Sequence, residues 1–382
     1  MNGVRAMNGV RAMTGGRLRI LVSGMLAGVP HQGGASWAVL QYLLGLRRLG
    51  HDVTFVEPVA DLAASAPYFQ GLVRRFGLRA ALVENDSGRT VGLDRRALRR
   101  AADGADLLLN LSGVLTDDDL LGRVAVRAFV DLDPAFTQLW HAADGLDLGL
   151  DRHNRFVTIG GRIGSGDCTV PTCGRDWVTT VQPLVLDAWP VAGAPRGTAL
   201  TTVGHWRAYG SIHHAGVHYG QKAHTLRPLL DLPRRSDARF SLALGIHPDE
   251  RADLDALDAH GWGLLDPAVV AATPDAYGEF VRGSWAELGL AKSGYAASRC
   301  GWFSDRSICY LASGRPVLAV DTGFAPDVPT GDGLLAFSTL DEAVAGVEEL
   351  RARYDHHRRA ARALAEDVFD SDRVLGRLLA CL

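Results

Sequence analysis

Short apolar runs alternate along most of this chain with longer stretches whose apolar positions recur every three or four residues. The first run, RLRILVSG (17–24), reads as a strand. A glycine-rich loop and a helix through WAVLQYLLGLRRLG (37–50) follow, and DVTFVEP (52–58) is a second strand. Strand, helix and strand in that order make a βαβ unit, because parallel neighbours need a crossover long enough for a helix. The beat repeats in DLLLNLSG (106–113), RAFVDLDP (127–134) and RFVTIGG (155–161). No period is visible from Ser165 to Pro195, which reads as a connection between domains. A second series then runs through TALTTVG (198–204), RFSLALG (239–245), WGLLD (262–266), AELGLAKS (286–293) and PVLAVD (316–321). Within it, Thr273-Pro274 marks a helix start, with Thr as N-cap and Pro at the first position. Residues 341–382 read as helical. The pattern predicts the α/β class, with two Rossmann-like domains (17–190 and 197–365) facing across a cleft and a C-terminal helix at 366–382.

One unit is sharper than the rest. In GWFSDRSICYLASGRPVLAVDTGF (301–324), a polar cluster, Ser304-Asp305-Arg306-Ser307, stands directly before an apolar run. Ser304 or Asp305 suits an N-cap, since its side-chain oxygen can accept from the free N–H groups of the first turn. Ile308, Leu311 and Ala312 fall on one helix face, Gly314 and Pro316 stop the helix, and Val317–Val320 make a short strand buried on both sides. A cap needs one polar residue, and four in a row suggest a ligand. The helix N-terminus, the Arg306 guanidinium and the hydroxyls of Ser304 and Ser307 would together cradle a diphosphate.

Composition narrows the class. At 382 residues the chain exceeds what one hydrophobic core usually supports. With 47% hydrophobic residues, 22% charged residues and a net charge of -3, it lacks the basic surface that nucleic acid requires of its partners. No apolar stretch is long enough to span a membrane. The N-terminus repeats MNGVRA without an apolar signal core, so residues 1–16 are expected to be a disordered leader and the protein cytoplasmic. The five cysteines are odd in number and scattered, which predicts reduced thiols rather than a disulfide framework. Of 40 basic residues, 38 are arginine. The two lysines, Lys222 and Lys292, therefore stand out as places where a compact ammonium is wanted instead of a planar fork.

The remaining candidates lie at strand ends. Gly33-Gly34, before the first helix, lets backbone N–H groups approach an anion, although the spacing is not that of a dinucleotide fingerprint. His31 in the same loop is a candidate general base. Asp131 and Asp133 share one side of a strand end and could hold a divalent cation, supply a catalytic carboxylate or cap a helix; the twin-domain pattern favours the last two. The histidines at 205, 213, 214, 218 and 224 lie in a glycine-broken stretch that reads as a cleft loop, with Lys222 opening the next helix. Lys292 lies at the end of a strand.

The Gly33-Gly34 loop before Trp37 and the ending ASGRPVLAVDTG (312–323) resemble glycosyltransferases of the GT-B fold. That resemblance implies transfer of a sugar from a nucleotide diphosphate sugar to a small acceptor, for a bacterial chain of this composition a natural product. It implies no cofactor beyond the sugar nucleotide, no metal, an acceptor in the first domain and the donor in the second. Gly33, Gly34, Lys222, Lys292, Ser304, Asp305, Arg306 and Ser307 would then bind the donor, and His31, Asp131 or Asp133 would take the acceptor proton. Two departures stand against it. Retaining members often carry two glutamates where this chain has Gly301 and Cys309, and the His-Cys-Gly of many inverting members is Arg299-Cys300-Gly301 here. A non-hydrolysing sugar-nucleotide epimerase and a sugar-nucleotide-binding protein without catalysis are the rival expectations.

Overall fold

The computed structural model describes residues 16–382; the leader expected over 1–16 lies, Gly16 apart, outside the described residues. The first sheet contains β1 (Arg19–Ser23), β2 (Asp52–Val59), β3 (Ala80–Glu84), β4 (Thr90–Gly92), β5 (Leu107–Leu111), β6 (Arg127–Asp131), β7 (Arg155–Thr158) and β8 (Trp177–Thr179). Their order is β4-β3-β2-β1-β5-β6-β7-β8, parallel except where β4 turns back on β3. The second domain opens with β9 (Ala199–His205), then a small antiparallel hairpin of β10 (Ile212–His214) and β11 (Val217–Tyr219). Its sheet continues with β12 (Arg239–Gly245), β13 (Gly263–Leu264), β14 (Ala286–Gly289), β15 (Val317–Val320) and β16 (Leu334–Phe337), in the order β13-β12-β9-β14-β15-β16.

Both orders reverse once. The chain leaves β1 toward β2 and returns on the other side as β5; it leaves β9 toward β12 and returns as β14. At such a reversal the crossover helices depart to opposite faces, leaving a crevice beyond the strands' carboxyl ends. The loops after β1, β9 and β14 are therefore the places to look for chemistry.

The two domains share packed contacts across this crevice. The first helix, Gly33–Arg48, begins four residues earlier than its apolar pattern suggests, because its N-terminus docks on the second domain. Gly33 N–H donates to Ala271 O at 2.8 Å, and the Trp37 indole donates to Pro274 O at 2.9 Å. A β-carbon at Gly33 would lie 2.1 Å from Thr273 O, so a larger residue would push the domains apart. At the far end the last helix, Ser371–Cys381, returns to the first domain: a β-carbon on Gly45 would meet Leu375 Cδ1 at 2.6 Å, and Arg48 pairs with Asp372 at 2.9 Å.

The Asp305–Ala312 helix forms with Ser304 as its N-cap, accepting from Arg306 N–H at 3.2 Å. It differs from expectation in having no solvent face: Arg306 through Ala312 are all buried. The C-terminal helices cover the side that an amphipathic reading leaves to water. The histidine stretch is also more ordered than a loop. Ala215 (φ 49°) and Gly216 (φ 78°) both take left-handed backbone, which gives the primed turn that closes β10 onto β11.

Candidate active site in the interdomain cleft

A cavity of about 470 Å³ opens between the loop after β1 and the ends of β9 and the Asp305–Ala312 helix. Pro30, His31 and Gly34 line it from the first domain; Gly204, His205, Ala271, Tyr277, Asp305 and Arg306 line it from the second. Its polar end is organised around Gly204. A β-carbon there would lie 3.5 Å from Lys222 Nζ and 3.9 Å from Arg306 Nη1, so two cations converge on one bare stretch of backbone.

The two cations are not equivalent. Arg306 is bound to buried Glu287 through Nε, and donates to Val203 O and Leu290 O, each at 3.2 Å. It ties the helix start to the ends of β9 and β14, and only its remaining N–H groups face the cavity. Lys222, the first residue of the Lys222–Leu226 helix, has no hydrogen-bond partner and no ion pair among the described residues. Burial, then the Arg306 and Lys292 charges, push its ammonium down to about 7. Asp305 also faces the cavity, with its carboxyl raised by burial and drawn back by Arg306 and Lys222. Counted as charges, Arg306 is matched by Glu287 and Lys292 by Asp133, which leaves Lys222 and Asp305 outside any salt bridge among the described residues, each steadied by the other's charge at longer range.

Several expected donor residues sit elsewhere. Gly33 does not cradle an anion, because its N–H is spent on Ala271 and its missing side chain admits the second domain. Gly34 lines the cavity and leaves room for the Tyr277 ring, 3.0 Å from where a β-carbon would stand. Ser304 is spent as a cap, and Ser307 is 1% exposed and lines no part of the cavity. Lys292 is not a free cation. It bonds both carboxylate oxygens of Asp133, at 2.8 and 3.0 Å, inside a cage of Phe136, Tyr209 and Tyr295 rings 4.1–5.2 Å away.

Neither aspartate behaves as a base in this geometry. Asp131 is fully buried and accepts from Asp133 N–H (3.0 Å), Thr137 (2.7 Å), Gln138 (2.8 Å) and Thr158 (2.8 Å). Asp133 accepts twice from Lys292 and once each from Tyr209 and Tyr295. A carboxylate offers about four lone-pair sites, and both are filled. They are anchors, which also removes them as a metal pair. His31 does line the cavity, in left-handed backbone (φ 64°), its ring centred 5.3 Å from that of Tyr68.

His205 was not singled out as a base, although it stands at the end of β9 on the cavity wall. Burial and the nearby lysines hold its imidazolium below the usual range, so the ring is neutral at pH 7. Glu287 was missed because a single acid inside an apolar strand carries no sequence signal. The other histidines stay apart from the cavity: His213 and His218 pair across the hairpin at 2.8 Å, and His224 packs on His218. Among the described residues no group of three His, Cys, Asp or Glu side chains is arranged to hold a metal ion.

Solved structures share this architecture from end to end. An alpha-glucosyltransferase in complex with UDP-glucose and DNA containing an abasic site superposes over 96% of this chain and 99% of its own, with a TM-score of 0.64 at 12% identity. The chain has the GT-B fold. HepE of Anabaena, in complex with UDP and glucose, superposes over 96% of this chain and 100% of its own (TM-score 0.60, 11% identity). AviGT4, a glycosyltransferase involved in avilamycin A biosynthesis, does so over 95% and 96% (TM-score 0.53, 13% identity). Neither a protein-family model nor a curated protein sequence matches the chain. In this GT-B chain the two positions without glutamate have other uses. Gly301 is in left-handed backbone (φ 77°), where a β-carbon would strike Arg162 Cγ at 2.6 Å. Cys309 is buried, its thiol pushed well up by that burial. Among the described residues no helix is long and apolar enough to cross a membrane.

Proposed function

We propose that the chain is a glycosyltransferase that moves a sugar from a nucleoside diphosphate sugar to a hydroxyl of a small-molecule acceptor. Lys222 carries the reading: a half-buried ammonium with no ion pair among the described residues, behind Gly204 of the cavity wall and beside Arg306 at the start of the Asp305–Ala312 helix. Burying an unmatched cation is costly, and such groups cluster where function needs them. A diphosphate is the anion that fits, because its charge grows as the bond from the anomeric carbon to the phosphate oxygen breaks. Two fixed cations and a helix N-terminus stabilise that charge without rearrangement.

In this reaction the acceptor oxygen bonds to the anomeric carbon, the nucleoside diphosphate leaves, and the acceptor's proton passes to a base. His31, on the acceptor-domain wall, is the base in this reading, since the oxygens of Asp131 and Asp133 are filled. The charge on the leaving group is met by protein cations, so turnover should need no divalent metal and survive chelation. The UDP and UDP-glucose complexes of the structural neighbours support a sugar-nucleotide donor, and AviGT4 supports a natural-product acceptor.

A panel of UDP-, TDP- and GDP-sugars, each with and without hydroxylated natural products, tests this. Nucleoside diphosphate released together with an acceptor heavier by one sugar is the expected result. A new sugar nucleotide formed without acceptor would mean an epimerase, and binding without turnover a non-catalytic protein.

A further inference from the structure

The loop from Gly24 to Gln32 has neither helix nor strand of its own, and its last three residues, Pro30, His31 and Gln32, line the cavity from the first domain. It exposes Met25 (55%), Val29 (51%) and His31 while Leu26 and Ala27 are buried. Glu57, in the interior of β2, holds the buried part. Its carboxylate accepts three successive backbone N–H groups: Leu26 at 3.1 Å, Ala27 at 2.9 Å and Gly28 at 2.7 Å. Gly28 has to be glycine for this, because a β-carbon would stand 2.7 Å from Glu57 Oε1. From the other side Ser36 donates to Leu26 O at 2.9 Å and meets the Tyr68 hydroxyl at 2.9 Å.

We infer that Glu57 is a positioning residue for the transfer reaction: its ionised carboxylate fixes the loop that carries His31 to the reacting centre. The inference rests on the proposed transferase reading for its chemistry and on the three hydrogen bonds for its geometry. A charged acceptor of three N–H bonds is strong, and a protonated one loses acceptor capacity and brings a hydroxyl with nothing to donate to. Glu57 is 1% exposed, and burial pushes its carboxyl up to about 7 against the pull of those three N–H groups. No charged side chain adds to that shift; the titratable groups facing the loop are His31 and Tyr68 in the first domain and, across the cavity, His205, Tyr277, Asp305 and Arg306. The loop is therefore held above neutrality and loosened below it.

Hydrogen–deuterium exchange at the Leu26, Ala27 and Gly28 amides, corrected for intrinsic rates, tests the contact without any substrate. In the wild type their protection should fall about tenfold between pH 8 and pH 6, following the ionised fraction of a group near 7. In Glu57→Gln it should be low and flat. Gly28→Ala, which leaves the carboxylate intact but blocks its approach, should raise exchange at the same amides. With UDP-glucose as probe, Glu57→Gln should lower kcat about tenfold or more at pH 8 and remove the acid limb, with KM within about threefold because the cations sit on the other domain. Wild-type protection that is level between pH 6 and 8, or Glu57→Gln amides as protected as the wild type's, would refute the inference. A wild type that does not turn over UDP-glucose or any other donor of the panel would count against the transferase reading and leave the exchange result to stand separately.

Discussion

Asp133 of the first domain and Lys292 of the second, 159 residues apart in sequence, close an ion pair of 2.8 Å across the cleft. Tyr209 and Tyr295 complete the carboxylate's shell, so four groups from three segments depend on one another. Removing one partner of such a pair leaves the other charged and largely buried. Lys292→Met should destabilise the protein by about 2–4 kcal/mol, and Asp133→Asn combined with it should recover a good part of that loss. Urea unfolding of the two single variants and the double gives the coupling. Additive effects would show that the pair does not tie the domains.

Arg306 invites a different expectation from the one its sequence position suggests. As a free phosphate ligand it would weaken binding when removed and leave the fold alone. Bound to Glu287, it should do more damage to the fold. Arg306→Ala leaves the Glu287 carboxylate, itself 0% exposed, without its cation. A loss of about 3 kcal/mol in stability is expected, with partial rescue by Glu287→Gln. Unchanged unfolding with a large loss of nucleoside diphosphate affinity by calorimetry would restore Arg306 as chiefly a ligand.

These two cases show where the sequence was legible. The βαβ beat, the ends of β1, β9 and β15, the Thr273 and Ser304 caps and the twin-sheet architecture follow from local periodicity and capping chemistry, which short segments encode by themselves. Short strands escaped: β4 and β8 have three residues each, too few to show a period, and β16 lies in a stretch of mixed polarity. The site divides in the same way. Residue type and strand-end position bring Arg306, Asp305 and His31 to the cavity and Lys222 beside it at Gly204, but which of two cations is free is decided by partners far away in sequence. Lys292 meets Asp133, and Arg306 meets Glu287, only after the sheets have formed. The rarity of lysine marked both lysines; Lys292 sits in an aromatic cage against Asp133, and Lys222 has no ion pair among the described residues.

The unpaired charge at Lys222 should be visible as lost stability. Its ammonium sits at about 7 in the folded protein against an ordinary value of 10.5. The unfolded chain therefore binds this proton more tightly, so the penalty is fully present below about pH 7 and is relieved as pH rises from 7 toward 10.5. Lys222→Met should stabilise the unliganded protein by about 1–3 kcal/mol at pH 6, much less at pH 10, and should abolish measurable nucleoside diphosphate binding. Thermal unfolding at the two pH values decides it. A destabilised Lys222→Met at pH 6 would mean that the ammonium already has a partner.

The same titration predicts an alkaline limb in catalysis. Without a ligand Lys222 loses its proton near pH 7, and with it, in the proposed reaction, the charge that would meet the departing diphosphate, so kcat/KM, which reports free-enzyme ionisations, should fall as pH rises above about 7. In the complex the diphosphate's own charge favours the ammonium, so kcat should hold to higher pH than kcat/KM. Lys222→Arg separates charge from shape. A guanidinium stays protonated across the accessible range, so the alkaline limb should disappear. Turnover at pH 7 should nonetheless drop, because a planar fork on a longer stem cannot sit over Gly204 where the compact ammonium does. Steady-state profiles of both enzymes with UDP-glucose from pH 6 to 10 give the comparison. If the alkaline limb of kcat/KM is the same in Lys222→Arg as in the wild type, another group governs it and Lys222 is not the cation that receives the leaving group.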